Sequence, residues 1–389
     1  MAYTSHKTTS CKMIKKTFRE HHLFTILSEY ENQMLPLDRF LKEYFRSHKA
    51  IGSKDRKVLC ERIYSMIRWK GLLDYLCNKP ISWESRYQKL IQIKPDHFFD
   101  NAQIPLHIRL SFPKELFSLI VESLGEEKAR FFCHASNSTA PITVRVNLLK
   151  TSRENLLETW KKKDFAATRG SFHTAIILPK RINFFTLPEF KMGHFEVQDE
   201  ASQRLADLVA VEPGQLVLDF CAGSGGKSLA IAPKMQGKGQ LFLHDIRKHI
   251  LFEAKKRLKR AGVQNAQVLL SDSAQKKSLH EKFDWVLVDA PCSGTGTMRR
   301  NPDMKWRFTS KTLQKTLEEQ RLIFEQALRF VKPGGHIVYM TCSVLRLENE
   351  EQTQYFKQTF SLNTIASAFS TLPLDPTDPD GFYGQVFVK

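Results

Sequence analysis

Between about residues 13 and 77, apolar side chains recur at three- and four-residue intervals, as in Leu37, Phe40, Leu41, Tyr44 and Phe45. That spacing predicts helices. A second run, about 54–76, turns Val58, Leu59, Ile63, Ile67 and Leu72 inward and leaves Arg56, Lys57, Arg62, Arg68 and Lys70 for solvent or phosphate. Few strand signals interrupt it, so an all-helical domain is expected over 1–135. From Ala140 the texture changes. Ile142-Thr-Val-Arg-Val reads as a strand, Ser152 caps a helix that runs to Lys163, and residues 175–178 read as another strand. A small α/β subdomain is expected over 136–195. After Gln198, strand and helix patterns alternate: strands at 216–220, 240–244, 268–270, 285–289 and 336–341, helices at 227–233, 247–261 and 312–331, and a final strand at 384–388 on the sheet edge. Such alternation specifies an α/β, doubly wound, Rossmann-like domain over 196–389, its parallel sheet covered on both faces.

A chain of 389 residues exceeds the usual size of one hydrophobic core, in keeping with this division. Lys and Arg outnumber Asp and Glu by 59 to 41, and the net charge of +18 is the footprint of a polyanion-binding protein, although the same excess also aids solubility. The seven cysteines, at positions 11, 60, 77, 133, 221, 292 and 342, lack zinc-type spacing, so no metal is expected. No apolar run approaches the ~20 residues of a membrane span, and the Lys-rich N-terminus lacks a signal-peptide core. A cytoplasmic monomer with free thiols is expected.

Candidate chemistry begins at Leu216-Val-Leu-Asp-Phe-Cys-Ala-Gly-Ser-Gly-Gly-Lys-Ser, an apolar strand ending in Asp219 and turning through glycines toward a helix. Such a loop lets backbone approach a ligand at the carboxyl edge of the sheet. A P-loop would need glycine where Cys221 stands, and a dinucleotide fingerprint starting at Gly223 and Gly225 would need glycine where Ser228 stands. The next strand ends in Asp245, suited to ribose hydroxyls, and the third in Ser271-Asp272-Ser273, where a carboxylate could take an adenine amine. A single Asp after a strand is ordinarily a helix cap. Three at corresponding strand ends suit an adenosyl ligand.

The fourth strand leads into Asp289-Ala-Pro-Cys-Ser-Gly-Thr-Gly and the fifth into Thr341-Cys-Ser. Free cysteines ordinarily fill buried space. Two of them beyond the carboxyl ends of strands around one crevice point instead to thiol chemistry. Carbon 5 of cytosine is too poor a nucleophile to take a methyl group directly; sulfur added at carbon 6 makes it an enamine carbon that can. A carboxyl group at the N3 edge would assist, a position suited to Asp289. Either thiol could attack, the other aiding release.

Together Asp219-Phe-Cys-Ala-Gly-Ser-Gly-Gly-Lys, Asp289-Ala-Pro-Cys-Ser, Arg300-Asn-Pro-Asp-Met-Lys-Trp and Thr341-Cys-Ser resemble the RsmB/Sun family of RNA cytosine-5 methyltransferases, as do Arg145-Val-Asn-Leu-Leu-Lys, Gln198-Asp-Glu-Ala-Ser and Asp380-Gly-Phe-Tyr. The resemblance covers about 140–389. It implies Cys342 as nucleophile and Cys292 as the group aiding product release. It also implies S-adenosylmethionine held by Cys221, Ala222, Gly223, Ser224, Gly225, Gly226 and Lys227 together with Asp245, Asp272 and Asp289. Where the family loop reads Ala-Pro-Gly-Gly-Lys, this chain has Ser224 in place of the proline, which loosens the loop. The N-terminal helical part resembles the RNA-binding domain of antitermination factor NusB.

The expected partner is RNA, ribosomal before transfer RNA, and Arg299, Arg300, Lys305, Trp306 and Arg307 combine phosphate-binding cations with a stacking aromatic. An assembly factor with a vestigial methyltransferase fold would not need both cysteines and Asp289, and an amino-group methyltransferase would lack the thiol pair.

Overall fold

The computed structural model describes residues 16–33, 35–180, 182–270 and 278–389. The chain divides into two compact units, Met1–Ile104 and Pro105–Lys389. The expected helical stretch 1–135 spans this division.

The first unit contains helices α1 (Phe18–Glu31), α2 (Leu37–Ser47), α3 (Ser53–Arg68), α4 (Lys70–Leu76) and α5 (Trp83–Gln92). The first helix starts where Thr17 accepts from the Glu20 N–H and the Glu20 carboxylate takes the Thr17 N–H at 3.0 Å, two otherwise unsatisfied donors answered reciprocally. Leu59, Ile63, Met66 and Ile67 are buried along one side of α3, as their spacing predicts. Two of the cations expected at the surface are engaged in packing. Arg56 donates to the carbonyls of Ile51 at 2.8 Å and Phe45 at 3.2 Å, and Arg68 is half-buried, its guanidinium pushed down to about 10 by desolvation.

The second unit opens with α6 (Leu106–Arg109), α7 (Lys114–Leu124) and α8 (Glu126–Ala135). Then come β1 (Ile142–Val146), α9 (Arg153–Lys161), β2 (Thr168–Arg169), β3 (Ala175–Leu178), α10 (Pro188–Lys191) and β4 (Phe195–Val197). The four strands form an antiparallel sheet in the order β2-β3-β1-β4. Val144, Val146 and Ile176 from its strands pack against Leu156 and Trp160 of α9. Ser152 caps α9 by accepting from the Asn155 N–H.

After α11 (Glu200–Asp207) the main sheet begins with β5 (Leu216–Asp219), α12 (Gly226–Ile231), β6 (Gln240–Leu243), α13 (Lys248–Ala261), β7 (Ala266–Val268) and β8 (Phe283–Asp289). It continues through α14 (Met304–Arg307), α15 (Ser310–Leu328), β9 (Val331–Thr341), α16 (Glu350–Thr359), β10 (Asn363–Thr364), β11 (Phe369–Thr371) and β12 (Phe382–Val388). The order is β10-β12-β9-β8-β5-β6-β7, with β5 to β9 parallel and β12 antiparallel to β9. The last strand is therefore not outermost as expected: β10 and β11 also pair with it, and most of its residues are buried.

Alternation along the strands explains why the sheet is covered twice. Val217, Leu241, Leu243, Trp285 and Leu287 join one apolar cluster with Leu251, Ala254 and Leu258 of α13. Their neighbours Leu218, Phe242, Val286 and Val288 join a second with Phe324 of α15 and Phe356 of α16. The chain winds outward from β5 through β6 to β7, then returns to build β8 and β9 on the other side of β5. The carboxyl ends of β5 and β8 consequently flank the point where the winding reverses, where open α/β sheets bind ligands.

Candidate active site at the carboxyl edge of the main sheet

Asp219 ends β5 buried, with Oδ2 accepting from Ser228 Oγ at 2.7 Å and Oδ1 without a partner. Desolvation pushes its pKa to about 7, with the nearby charge of Asp289 adding and Ser228 and Lys227 opposing. Beyond it, the loop is anchored by Ala222 N–H to the His244 carbonyl at 2.8 Å and Gly223 N–H to Asp245 Oδ2 at 2.9 Å. Gly225, at φ +81°, precedes α12 in the left-handed region, and a side chain there would press on Ala254 Cβ at 3.3 Å. Cys221 is half-buried, and burial, reinforced by three nearby carboxylates, pushes its thiol up.

Ser224, the residue expected to loosen this loop, is tethered. Arg257 of α13 donates to Ser224 Oγ at 2.6 Å and to the Ser224 carbonyl at 2.8 Å. The same guanidinium bonds Glu196 of β4 at 3.0 Å, so the small sheet, α13 and the loop are linked through it.

Asp245 lies just beyond β6. Burial opposes its ionisation, yet bonds from the Arg247 side chain and the Arg247 and Gly223 N–H groups outweigh that and hold its carboxyl below the usual range. Arg247 is 56% exposed and remains displaceable, so Asp245 keeps its capacity to accept from hydroxyls. Beside it Ile246 is 84% exposed, an apolar surface that no pattern of polar residues along the chain marks. Asp272 lies outside the described residues.

Lys227, the first full residue of α12 after Gly226, is buried and bridges Asp289 Oδ2 at 3.0 Å and Ser202 Oγ at 3.1 Å. This joins the end of β5's loop to the end of β8. Three residues beyond Asp289, Cys292 meets Cys342 from the end of β9, with the sulfurs 3.3 Å apart and both residues half-buried. That separation is a contact between free thiols, well beyond a disulfide bond. The Cys342 sulfur beside it, and then burial, push the Cys292 thiol well above its ordinary value. The loop carrying Cys292 is held by Gly296 N–H to the Cys342 carbonyl and Gly381 N–H to the Gly296 carbonyl, each 2.9 Å. A side chain at Gly296 would collide with Gly381 O at 2.1 Å.

The cations after β8 do not form the phosphate-binding cluster expected of them. Arg299 is buried against Asp380, and Arg300 pairs with Asp380 and with Asp199 at 2.8 Å. Lys305 is buried, donates to Asn137 Oδ1 at 2.8 Å and lies over the Phe112 ring; Arg307 pairs with Asp303. Buried charges require partners, and here the partners come from distant segments. Trp306 is half-buried. Among the described residues no helix is long and apolar enough to cross a membrane, and no His, Cys, Asp or Glu group could hold a metal ion.

Residues 206–371 match the family model for the 16S rRNA methyltransferase RsmB/F, and residues 112–184 match the ferredoxin-like domain of RsmF/B-like methyltransferases. The chain is similar to a probable ribosomal RNA small subunit methyltransferase B of Synechocystis sp., 31% identical over 277 residues, which cover 70% of this chain and 62% of the relative. It spans less than two thirds of the length of the curated relatives it matches. A methyltransferase homolog protein from Pyrococcus horikoshii, 26% identical, superposes with a TM-score of 0.65 over 73% of this chain and 97% of its own. The crystal structure of PH0851 shares the fold at a TM-score of 0.79, with 23% identity over 94% of this chain and 97% of the other.

Proposed function

We propose, from the match of residues 112–184 and 206–371 to the RsmB/F methyltransferase models, that this chain methylates carbon 5 of a cytosine in small-subunit ribosomal RNA. The observation that carries the reading is the 3.3 Å approach of Cys292 and Cys342 beside the reversal point of the sheet. A methyl transfer to oxygen or nitrogen needs no such pair.

S-adenosylmethionine would supply the methyl group. The residues present fit it: an acidic acceptor in Asp245, the exposed Ile246 beside it for a purine, and a glycine-bearing loop open to close approach. Ribose hydroxyls would take over the oxygens now shared with Arg247. Cys342, as thiolate, adds to carbon 6 of an unstacked cytosine, and the electron pair released toward carbon 5 takes the methyl group. Asp289 would face the N3 edge, and the Lys227 ammonium bonded to it at 3.0 Å would offset charge on the ring. Water at this edge takes the carbon 5 proton, the freed electron pair restores the 5,6 double bond, and the Cys342 sulfur leaves as a thiolate that the neighbouring Cys292 S–H assists by donating a hydrogen bond.

The test is methyl transfer to ribosomal RNA by single-cysteine variants. Cys342→Ala should abolish transfer, whereas Cys292→Ala should accumulate a covalent RNA adduct that migrates slowly in a denaturing gel. An adduct in the Cys342 variant would reverse the roles, and unimpaired transfer by that variant would remove the mechanism. Bisulfite sequencing of ribosomal RNA with and without the protein identifies the cytosine.

A further inference from the structure

Two Cys-Ser dipeptides, Cys292-Ser293 beyond β8 and Cys342-Ser343 beyond β9, converge on one carboxylate. Glu348 is fully buried. Its Oε1 accepts from the Ser293 N–H at 2.7 Å and from Gln320 Nε2 at 3.1 Å. Its Oε2 accepts from both the Ser293 and the Ser343 hydroxyls. Around this centre, Gln320 of α15 also donates to the Pro291 carbonyl at 2.9 Å and accepts from Gln352 of α16 at 3.0 Å. Tyr339 OH donates to the Glu348 carbonyl at 2.8 Å.

A buried carboxylate is tolerated only where charge-assisted bonds replace its water, and here four donors saturate both oxygens. Two of those four come from Ser293 and one from Ser343, each serine bonded covalently to one member of the thiol pair. No other described carboxylate bridges the two loops in this way. Moving either loop by an ångström breaks a bond to the shared carboxylate, and its loss in a dry site is costly.

We propose that Glu348 is a positioning residue for the thiol pair: by holding Ser293 and Ser343 at once it sets the separation at which one sulfur attacks and the other stays within proton reach. The proposal rests on reading Cys292 and Cys342 as the reacting pair. The charge of Glu348 acts in the same direction, since it adds to the influences that push the Cys292 thiol up.

Glu348→Gln keeps the shape but not the pattern of acceptors. Its oxygen must face the Ser293 N–H, which brings its amide NH2 against two hydroxyls. Those hydroxyls both donate to Glu348 Oε2, an acceptor that the NH2 replaces with a donor, so the clamp slackens. The experiment uses the full chain without RNA or cofactor and measures bridging of Cys292 to Cys342 by dibromobimane, identified by peptide mass. Bridging should slow at least about fivefold in Glu348→Gln and further in Glu348→Ala, with unchanged circular dichroism in the Gln variant. Should the Ala variant fail to fold, the Gln variant carries the test. Methyl transfer should lose kcat with KM for the methyl donor unchanged. Bridging at the wild-type rate in Glu348→Gln would overturn the proposal. Slowed bridging in a protein whose wild type transfers no methyl group would support the clamp and remove only the functional reading on which it was built.

Discussion

Asp219 ends β5 with its carboxyl fully buried, one oxygen bonded to Ser228 and the other without a partner, so Asp219→Asn should alter how stability depends on pH. Desolvation raises the folded-state pKa from 3.8 to about 7. Below the unfolded value both states hold the proton and the group costs nothing. As pH rises toward 7, the unfolded chain releases the proton while the folded chain retains it, and stability falls by about 1.4 kcal/mol per unit. Above pH 7 the loss is complete, on the order of 4 kcal/mol as an upper bound over roughly three units. Asparagine removes this contribution. It can keep its oxygen on Ser228 and turn its amide toward the unpartnered side. Urea denaturation of wild type and variant at several pH values between 4 and 8 should give a stability difference that moves steadily in favour of the variant up to about pH 7 and then levels. The other carboxyl groups are common to both proteins and cancel. A difference that stays constant across the range would refute the assignment of a high pKa to Asp219.

Arg299→Met should lower stability by about 3–5 kcal/mol, because Asp380 is left buried with a weakened set of partners. The effect should appear in denaturation midpoints and not as a selective, salt-dependent loss of RNA affinity, which would return Arg299 to the phosphate-binding role. Arg257→Met frees the Ser224 loop, and cofactor binding by calorimetry should weaken about 3- to 30-fold, the range set by losing charge-assisted hydrogen bonds; unchanged affinity would mean that the tether does not shape the loop.

Much of the main domain was legible along the chain. Apolar strands with alternating sides are local signals, and Asp219, Asp245, Asp289 and both cysteines stand at or just beyond the strand ends where the pattern put them. The repeated Cys-Ser dipeptide was equally visible, and it was the available signal for a shared partner such as Glu348. Identity and spacing do not specify which distant group answers a charge. Arg299 and Arg300 look like phosphate ligands until the fold brings Asp380, about eighty positions away, against them.

The same limit applies to the thiols. Local sequence put Cys292 and Cys342 after strands, but the parallel pairing of β8 with β9 brought sulfurs fifty positions apart into contact and pushed the Cys292 thiol up. It likewise could not show that Ser224 is held by Arg257, because that bond joins segments thirty-three positions apart. Hydrophobic period is encoded residue by residue, whereas ion-pair partners, burial and thiol protonation depend on which strands become neighbours, and only the packed sheet decides that.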